Sequence, residues 1–401
     1  MQEPLLFMKR RQSMIYVRNE TRVYGLLMLL ANVGEFPMCS LGILGNKQSW
    51  TKLIYELQQP QDFCISATGD VKRFQMLTVS GKGRNKTIRL HRSAISALSA
   101  VDISAQSFYF ADFEGHRFSG SEAHIIRNHR VAEAAAMCMN SGVEIRKWAL
   151  EDLHDKHVRY QQVEAPLFYD ARAIKGFFED EHRKTDFTRL VGAIVYPNGS
   201  YAVYNTMDQA MQWNGQGEVK ARMLLEDIFY PYPKVTASKS AILFGRNLLV
   251  AQRTMEYAFL HHRKKHRLDT VYRHVHFIPM NAMGQKMLQI LTRRDWRSEL
   301  WNWLYADLDL MPWSEYSSFE YDACDVEENT YCFSHLDGDL CRLVRFKIAM
   351  HSRPQHNYLI DCYQEQLPLL RAYLDIFNEH QNVHFRTHNI DDVYTDLFER
   401  S

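Results

Sequence analysis

Thr21-Arg-Val-Tyr-Gly-Leu-Leu-Met-Leu-Leu-Ala-Asn32 is an apolar stretch expected to be helical, and the residues after it decide the fold. A short segment around Ser40–Leu44 comes next. A further helix is expected from about Lys47, with Gln48, Ser49, Thr51 and Lys52 near its start. Two extended runs follow, Arg73–Val79 and Lys86–Leu90, joined by the basic tip Ser80-Gly81-Lys82-Gly83-Arg84-Asn85. Three helical segments and then a ribbon with a glycine-rich basic tip is the order of a winged helix-turn-helix. The same stretch concentrates positive charge. Between Lys9 and Arg92 there are 14 Lys/Arg against 5 Asp/Glu, while the whole chain carries +1, so the rest carries −8. That asymmetry points to a polyanionic partner for the N-terminal part.

At 401 residues the chain is long enough for two or three domains. A hydrophobic content of 46% and an aromatic content of 12% exclude a largely disordered chain. No run approaches the roughly 18–20 apolar residues that cross a bilayer. The longest, Val23–Val33, is shorter and contains Gly25 and Asn32. Met1–Met14 lacks the apolar stretch of a signal peptide. The seven cysteines are scattered, with no CxxC, which suits reduced thiols in a cytoplasmic protein and argues against a structural zinc site. Nothing calls for a cofactor or a membrane partner.

The expected fold class is α+β or α/β, in four parts. Residues 1–14 form a basic tail (Lys9, Arg10, Arg11), and 15–105 the winged helix-turn-helix domain. Residues 106–158 hold a linking helix, and 159–401 a larger C-terminal α/β domain. Ser119-Gly-Ser-Glu122 has capping-box spacing and opens a helix that runs to about Ser141, before Gly142. Ile125, His129, Ala132, Ala136 and Met139 share one largely apolar face of it, which prompts the expectation of a homodimer. Leu190–Tyr196 and Ser200–Asn205 flank Pro197-Asn198-Gly199, a hairpin signal because Asn-Gly accepts positive φ. Beyond a helix at Glu218–Phe229, strands alternate with helices. Ala241–Phe244 precedes Leu248–His262, and His274–Pro279 precedes Ala282–Leu291. Tyr358–Asp361 precedes Gln366–His380, and Val383–Arg386 precedes Asp391–Phe398. This rhythm argues for a partly parallel sheet. Residues 301–341 read as an acidic, aromatic insertion.

A winged helix places its third helix in the major groove and rests its wing on phosphates. Gln48 and Ser49 then face base edges, with Lys47 and Lys52 on phosphate and Thr51 beside them near the helix start. Lys82, Arg84, Lys86, Arg89 and Arg92 supply the wing's cations. The blander use of such a module is protein–protein contact. Asn128-His129-Arg130 offers a weaker phosphate contact, with a solvated helix face as the ordinary alternative. His274 and His276 share one strand face, as metal ligands do, but no third ligand stands at a diagnostic spacing. They belong to a run with His261, His262 and His266 among Arg263, Lys264, Lys265, Arg267 and Arg273, which reads more simply as a basic loop. Asp208, Glu218 and Lys220 have the order of a metal-dependent nuclease. Glu218 and Lys220 fall at the start of a helix, however, where side chains two residues apart diverge. No Walker A, GxSxG or HExxH motif is present. No catalytic residues are therefore assigned.

Four stretches carry a family resemblance: Lys86-Thr-Ile-Arg-Leu-His-Arg-Ser93, Ile126-Arg-Asn-His-Arg-Val131, Phe168-Tyr-Asp170 and Gly192-Ala-Ile-Val-Tyr-Pro-Asn-Gly-Ser-Tyr-Ala-Val-Tyr-Asn-Thr206. In their order and texture, over roughly residues 15–230, the chain resembles the replication-relaxation family of plasmids and integrative elements in Gram-positive bacteria. The resemblance implies an accessory protein that binds double-stranded DNA in replication or conjugative transfer, without assigned catalysis. Its expected protein partner is a relaxase or a replication initiator. Two other classes stand beside it: a metal-dependent nuclease with a divergent restriction-endonuclease-like domain, and a transcriptional regulator that responds to a ligand.

Overall fold

A computed structural model describes residues 14–65, 68–113, 116–118, 120–150, 163–175, 189–211, 215–229, 239–260, 268–375 and 382–399. The basic tail, Ser119 of the expected capping box and the run His261–Arg267 lie outside the described residues. The chain divides into two compact units, 1–132 with 146–149 and 133–145 with 150–401. The break thus falls inside the expected linking helix, not near residue 105. Among the described residues no helix is long and apolar enough to cross a membrane.

In the first unit, β1 (Ile15–Val17) leads to α1 (Arg22–Val33). Thr21 caps α1 by accepting from Tyr24 N at 3.2 Å, and the helix closes with Gly34 N donating to Leu30 O at 2.8 Å. Leu26, Leu27, Leu29 and Leu30 are buried, which puts α1 at the centre of this core. Next come β2 (Glu35–Pro37), a 3₁₀ turn at Met38–Ile43, and α2 (Lys47–Leu57). Asn46 caps α2 through Ser49 N at 3.1 Å, and Trp50 Nε1 donates to Leu44 O at 2.8 Å, pinning the helix to the turn before it. A hairpin follows, β3 (Gln61–Ile65) with β4 (Asp70–Phe74), and then β5 (Leu77–Ser80) with β6 (Thr87–Leu90). One sheet has the order β2–β6–β5, all antiparallel, and the other β1–β3–β4. Two helices, α3 (Arg92–Val101) and α4 (Ile103–Asp112), complete the unit before α5 (Glu122–Asn140).

The run expected as one strand, Arg73–Val79, is divided between these sheets. Arg73 lies opposite Asp62 in β4, whereas Leu77 lies opposite Leu90 in β5. At the break Met76 N donates to Leu57 O and Met76 O accepts from His91 N, so its backbone groups serve neighbours outside the ladder. No glycine, proline or asparagine marks this turn in the sequence, which is why the run reads as one strand.

The second unit holds two five-stranded sheets. The first runs β7 (Leu167–Asp170), β8 (Leu190–Tyr196), β9 (Gly199–Asn205), β10 (Ser240–Gly245) and β11 (His274–Pro279). The short helix α6 (Ala171–Lys175) follows β7. α7 (Gln216–Phe229) connects β9 to β10, and α8 (Leu248–Leu260) with α9 (Leu268–Val271) connects β10 to β11. After α10 (Ala282–Leu291) and α11 (Trp296–Tyr305) the second sheet begins. It runs β12 (Met311–Pro312), β13 (Ala323–Asp325), β14 (Thr330–Ser334), β15 (Asn357–Tyr363) and β16 (Val383–His388). α12 (Leu340–Ser352) connects β14 to β15, α13 (Leu367–Tyr373) lies between β15 and β16, and α14 (Ile390–Glu399) ends the described chain. Strands are adjacent in chain order in both sheets. The first two pairings are antiparallel and the last two parallel in each.

Residues 301–341 are therefore no excursion from the fold, since they supply β12, β13 and β14. The hairpin at 197–199 forms, but for a different reason than the one expected. The positive-φ residues of the described backbone include neither Asn198 nor Gly199. The two-residue loop is Pro197-Asn198, a pairing suited to negative φ at both positions. A Cβ on Gly199 would sit 2.7 Å from the Tyr196 hydroxyl, so space, not dihedral freedom, selects that glycine.

Candidate functional site

Cap, core and turn together decide what α2 presents. Trp50, Ile54 and Leu57 are buried, so the helix turns Lys47, Gln48, Ser49, Lys52, Tyr55 and Glu56 outward, with Thr51 half-buried. The Thr51 hydroxyl donates to Lys47 O at 2.8 Å, which occupies its proton within the helix. A shallow groove of about 710 Å³ runs along this face, bordered by Lys47, Gln48, Thr51, Lys52 and Tyr55, and by Gln61 from β3.

The β5–β6 turn is the second basic element. Gly81 has φ +81°, and a Cβ there would sit 2.3 Å from Asn85 O, so only glycine fits the bend. Lys82, Arg84 and Lys86 are exposed around it, and Arg92 is exposed at the start of α3. Arg89 is placed differently from the sequence expectation. It lies directly across from Glu35 in the β2–β6 ladder. Its Nε and Nη2 donate to Glu35 Oε2 at 3.1 and 2.7 Å, and its guanidinium lies 4.2 Å from the Phe118 ring centroid. With Glu35 buried, Arg89 is the counter-charge of a fold contact and not a phosphate ligand. His129 is also buried, which removes it from the weaker phosphate patch on α5.

The nuclease triad does not assemble. Asp208 is exposed and pairs with Arg246 Nε at 3.3 Å. Glu218 is buried near the start of α7, where it accepts from Gly215 N at 2.9 Å. Lys220, two residues further along the same helix, is exposed. A 3.6-residue repeat turns Glu218 and Lys220 to different faces.

The second unit instead gathers charged groups that stand far apart along the chain. Asp339 caps α12: its Oδ1 accepts from Val275, Cys341 and Arg342 N at 3.1, 2.9 and 3.3 Å, and its Oδ2 pairs with His274 Nδ1 at 2.6 Å. Burial pulls this carboxyl upward, yet the His274 hydrogen bond and the nearby Arg342 guanidinium hold it well below the usual carboxylate range. His276 Nδ1 donates to Asp337 O at 3.0 Å, and its Nε2, fully buried, meets no hydrogen-bond partner among the described residues. Burial holds this imidazole neutral, with its pKa below the ordinary histidine value. Arg342 donates through Nε to Glu320 at 3.1 Å and through Nη2 to Asp322 at 2.7 Å. On β15, buried Asp361 accepts from Tyr305, Arg386 and His388.

Ligand atoms of His276, Asp337 and Asp339 lie within 4.8 Å of one another, the spacing of a potential metal cluster. The donor set argues against one. Both Asp339 oxygens already serve hydrogen bonds, and the Arg342 guanidinium, 3.7 Å from Asp337 Oδ2, would repel a cation there. The cluster instead joins β11 to the start of α12. It escaped sequence reading because His274 and His276 are separated from Asp337 and Asp339 by some 60 residues and meet them only through β11 and the start of α12.

Comparison of the chain with protein-family models, with curated proteins and with solved structures gives no match.

Proposed function

We propose that the first unit is a winged helix-turn-helix that binds duplex DNA, with α2 in the major groove and the β5–β6 turn on the phosphate backbone. The observation that carries this reading is the coincidence of topology with charge. Once the β3–β4 hairpin is set aside, the order α1, β2, 3₁₀ turn, α2, β5, β6, with β6 central in its sheet, fits the winged-helix reading, and α2 and the β5–β6 turn bear Lys47, Lys52, Lys82, Arg84 and Lys86 outward. The β3–β4 hairpin is then an addition between recognition helix and wing. Gln48 and Ser49 are the residues for base edges, because they are exposed and carry groups that both donate and accept. In the cell we propose an accessory role in replication or conjugative transfer of a mobile element, beside a relaxase or an initiator. The resemblance of residues 15–230 to the replication-relaxation family supports that role.

Fluorescence anisotropy with a labelled duplex, repeated across salt concentrations, tests the DNA claim. Each phosphate neutralised contributes about 0.9 to the slope of log affinity against log salt. Replacing Lys82, Arg84 and Lys86 together with Ala should weaken binding and flatten that slope by up to about 3. Gln48→Ala should relax sequence preference with little loss on random duplex. Unchanged affinity in the triple variant would sink the wing assignment.

A further inference from the structure

A second cavity, of about 460 Å³, opens in the second unit beside α11 and the β12–β14 sheet edge. Its volume falls within the range of small-molecule sites, roughly 300–1,000 Å³. Its lining combines charged and aromatic side chains. Arg273 and Arg297, both exposed, stand on its solvent side. Aromatic rings, Trp301, Trp313 and Tyr321 among them, form the wall. Two of these are fixed by their own hydrogen bonds: Trp301 Nε1 donates to Asp322 O at 3.0 Å and Trp313 Nε1 to Phe319 O at 3.0 Å. The floor holds Asp337, which is 5% exposed.

Asp337 is the informative member. Its Oδ1 accepts from Asp339 N at 3.0 Å. Its Oδ2 makes no hydrogen bond with the described residues. The nearest cationic or ring nitrogens, Arg342 Nη1 and His276 Nδ1, stay at 3.7 and 3.8 Å. Arg342 is meanwhile held by Glu320 and Asp322. A carboxylate oxygen at the bottom of a cavity, with its cations just out of reach, is an acceptor awaiting a donor. The same cavity presents flat π-faces and two exposed guanidinium groups suited to an anion.

We infer that this cavity binds a nucleoside 5′-phosphate unit, with the base stacked among Trp301, Trp313 and Tyr321, an amino group of the base on Asp337, and the phosphate at Arg273 and Arg297. The ligand is a free nucleotide or one residue of a single strand, since both present the same base and phosphate. An acceptor-only carboxylate selects guanine, adenine or cytosine, which carry exocyclic amines, over thymine or uracil, whose carbonyls would face it. Glu320 and Asp322 also line the cavity but are already paired with Arg342, so the two exposed arginines disfavour a cationic ligand. This inference is independent of duplex binding by the first unit.

Isothermal titration of the full chain with GMP, AMP, CMP and UMP is the direct test. A parallel series uses short single strands and the Lys82, Arg84, Lys86→Ala background, so that wing contacts do not contribute. Saturable binding of an amino-bearing mononucleotide, at least about fivefold tighter than UMP, is expected. Binding seen only with the amino-bearing strand identifies the strand as the source and also supports the site. Trp313→Ala and Arg297→Ala change exposed side chains and should leave the fold intact. Each should weaken binding by about tenfold, and Arg297→Ala should have little effect on guanosine, which lacks the phosphate. Asp337→Asn should erase the preference over UMP. No saturation by any nucleotide or strand at millimolar concentration overturns the inference. So does binding that Trp313→Ala and Arg297→Ala leave unchanged, or a preference for choline or arginine over nucleotides.

Discussion

Single residues separate what sequence reveals from what only the fold can. The exposed cations at 47, 52, 82, 84 and 86 were legible because each sits beside a local signal, a helix start or a glycine turn. Arg89 was not. Its partner Glu35 is 54 residues away, and only the β2–β6 register brings them together. His335 is a second such case, a buried imidazole among Asp337, Asp339, Arg342 and His276. Burial, ahead of these charges, lowers its pKa from 6.5 to about 4. Between those values the unfolded chain takes up a proton that the folded chain refuses. Stability is therefore full above pH 6.5 and drains as pH falls toward 4. At about 1.4 kcal/mol per pH unit, the step from pH 7 to pH 5 costs roughly 2 kcal/mol through His335. His276, lowered for the same reason, acts in the same direction. The paired carboxylates, Asp339 and Asp361, lose their contribution only as pH falls below the ordinary carboxylate range. Urea unfolding at the two pH values checks this. His335→Phe should be distinctly less sensitive to the change, and equal sensitivity would show that His335 titrates freely in the folded chain.

At the scale of elements, the strands at 190–205, 241–244, 274–279, 358–361 and 383–386 and the helices after them were legible as short apolar runs between helical periods, whereas α11, β12–β14 and α12 were hidden in or beside the stretch taken as an insertion. Other elements missed carry mixed polar and apolar side chains. Gln61–Ile65 and Asp70–Phe74 carry polar side chains on a half-exposed hairpin. Thr330–Ser334 was obscured by the acidic residues around it, although it is the central strand of its sheet. The join between β11 and α12 was equally silent, and it turns on Gly338. That residue has φ +66°, and a Cβ there would lie 2.7 Å from Phe277 O. Phe277 N in turn donates to Gly338 O at 2.9 Å, so the two segments cannot separate without losing a backbone bond. Gly142 offers a control, with φ +72° and nothing within 4 Å of its Cβ. Gly142→Ala should cost about 1 kcal/mol, the left-handed backbone penalty alone. Gly338→Ala should cost about 3 kcal/mol, because it adds a clash with a carbonyl that cannot retreat. Chemical denaturation of both variants measures the difference. Equal losses would mean that the β11 edge yields freely.

For the whole molecule, the polarity of the chain, basic first and acidic after, was legible from residue counts, but the plan of its second half was not. Two sheets with the same strand order and directions arise from segments without a visible repeat, so the likeness is one of topology and not of side chains. They also share a core. Tyr204, Leu225, Leu243 and Phe277 from the first sheet and its helices belong to one buried cluster with Phe333, Leu343, Phe346 and Ile360 from the second. Burying such side chains is worth roughly 1.5–3 kcal/mol each, so neither sheet keeps its half of the cluster covered alone. β11 adds a polar reason, since Val275 N and His274 both rely on Asp339 from the other side of the join. A fragment of residues 133–292 holds the first sheet complete yet loses all of these partners. It should melt without a cooperative transition and bind a hydrophobic dye, whereas a fragment of 133–399 should unfold in a single step. A sharp melt from the shorter fragment would show two autonomous sheets and make the Asp339–His274 join a contact between domains. Absence of that melt would place the join, and the cavity beside it, within one cooperative body.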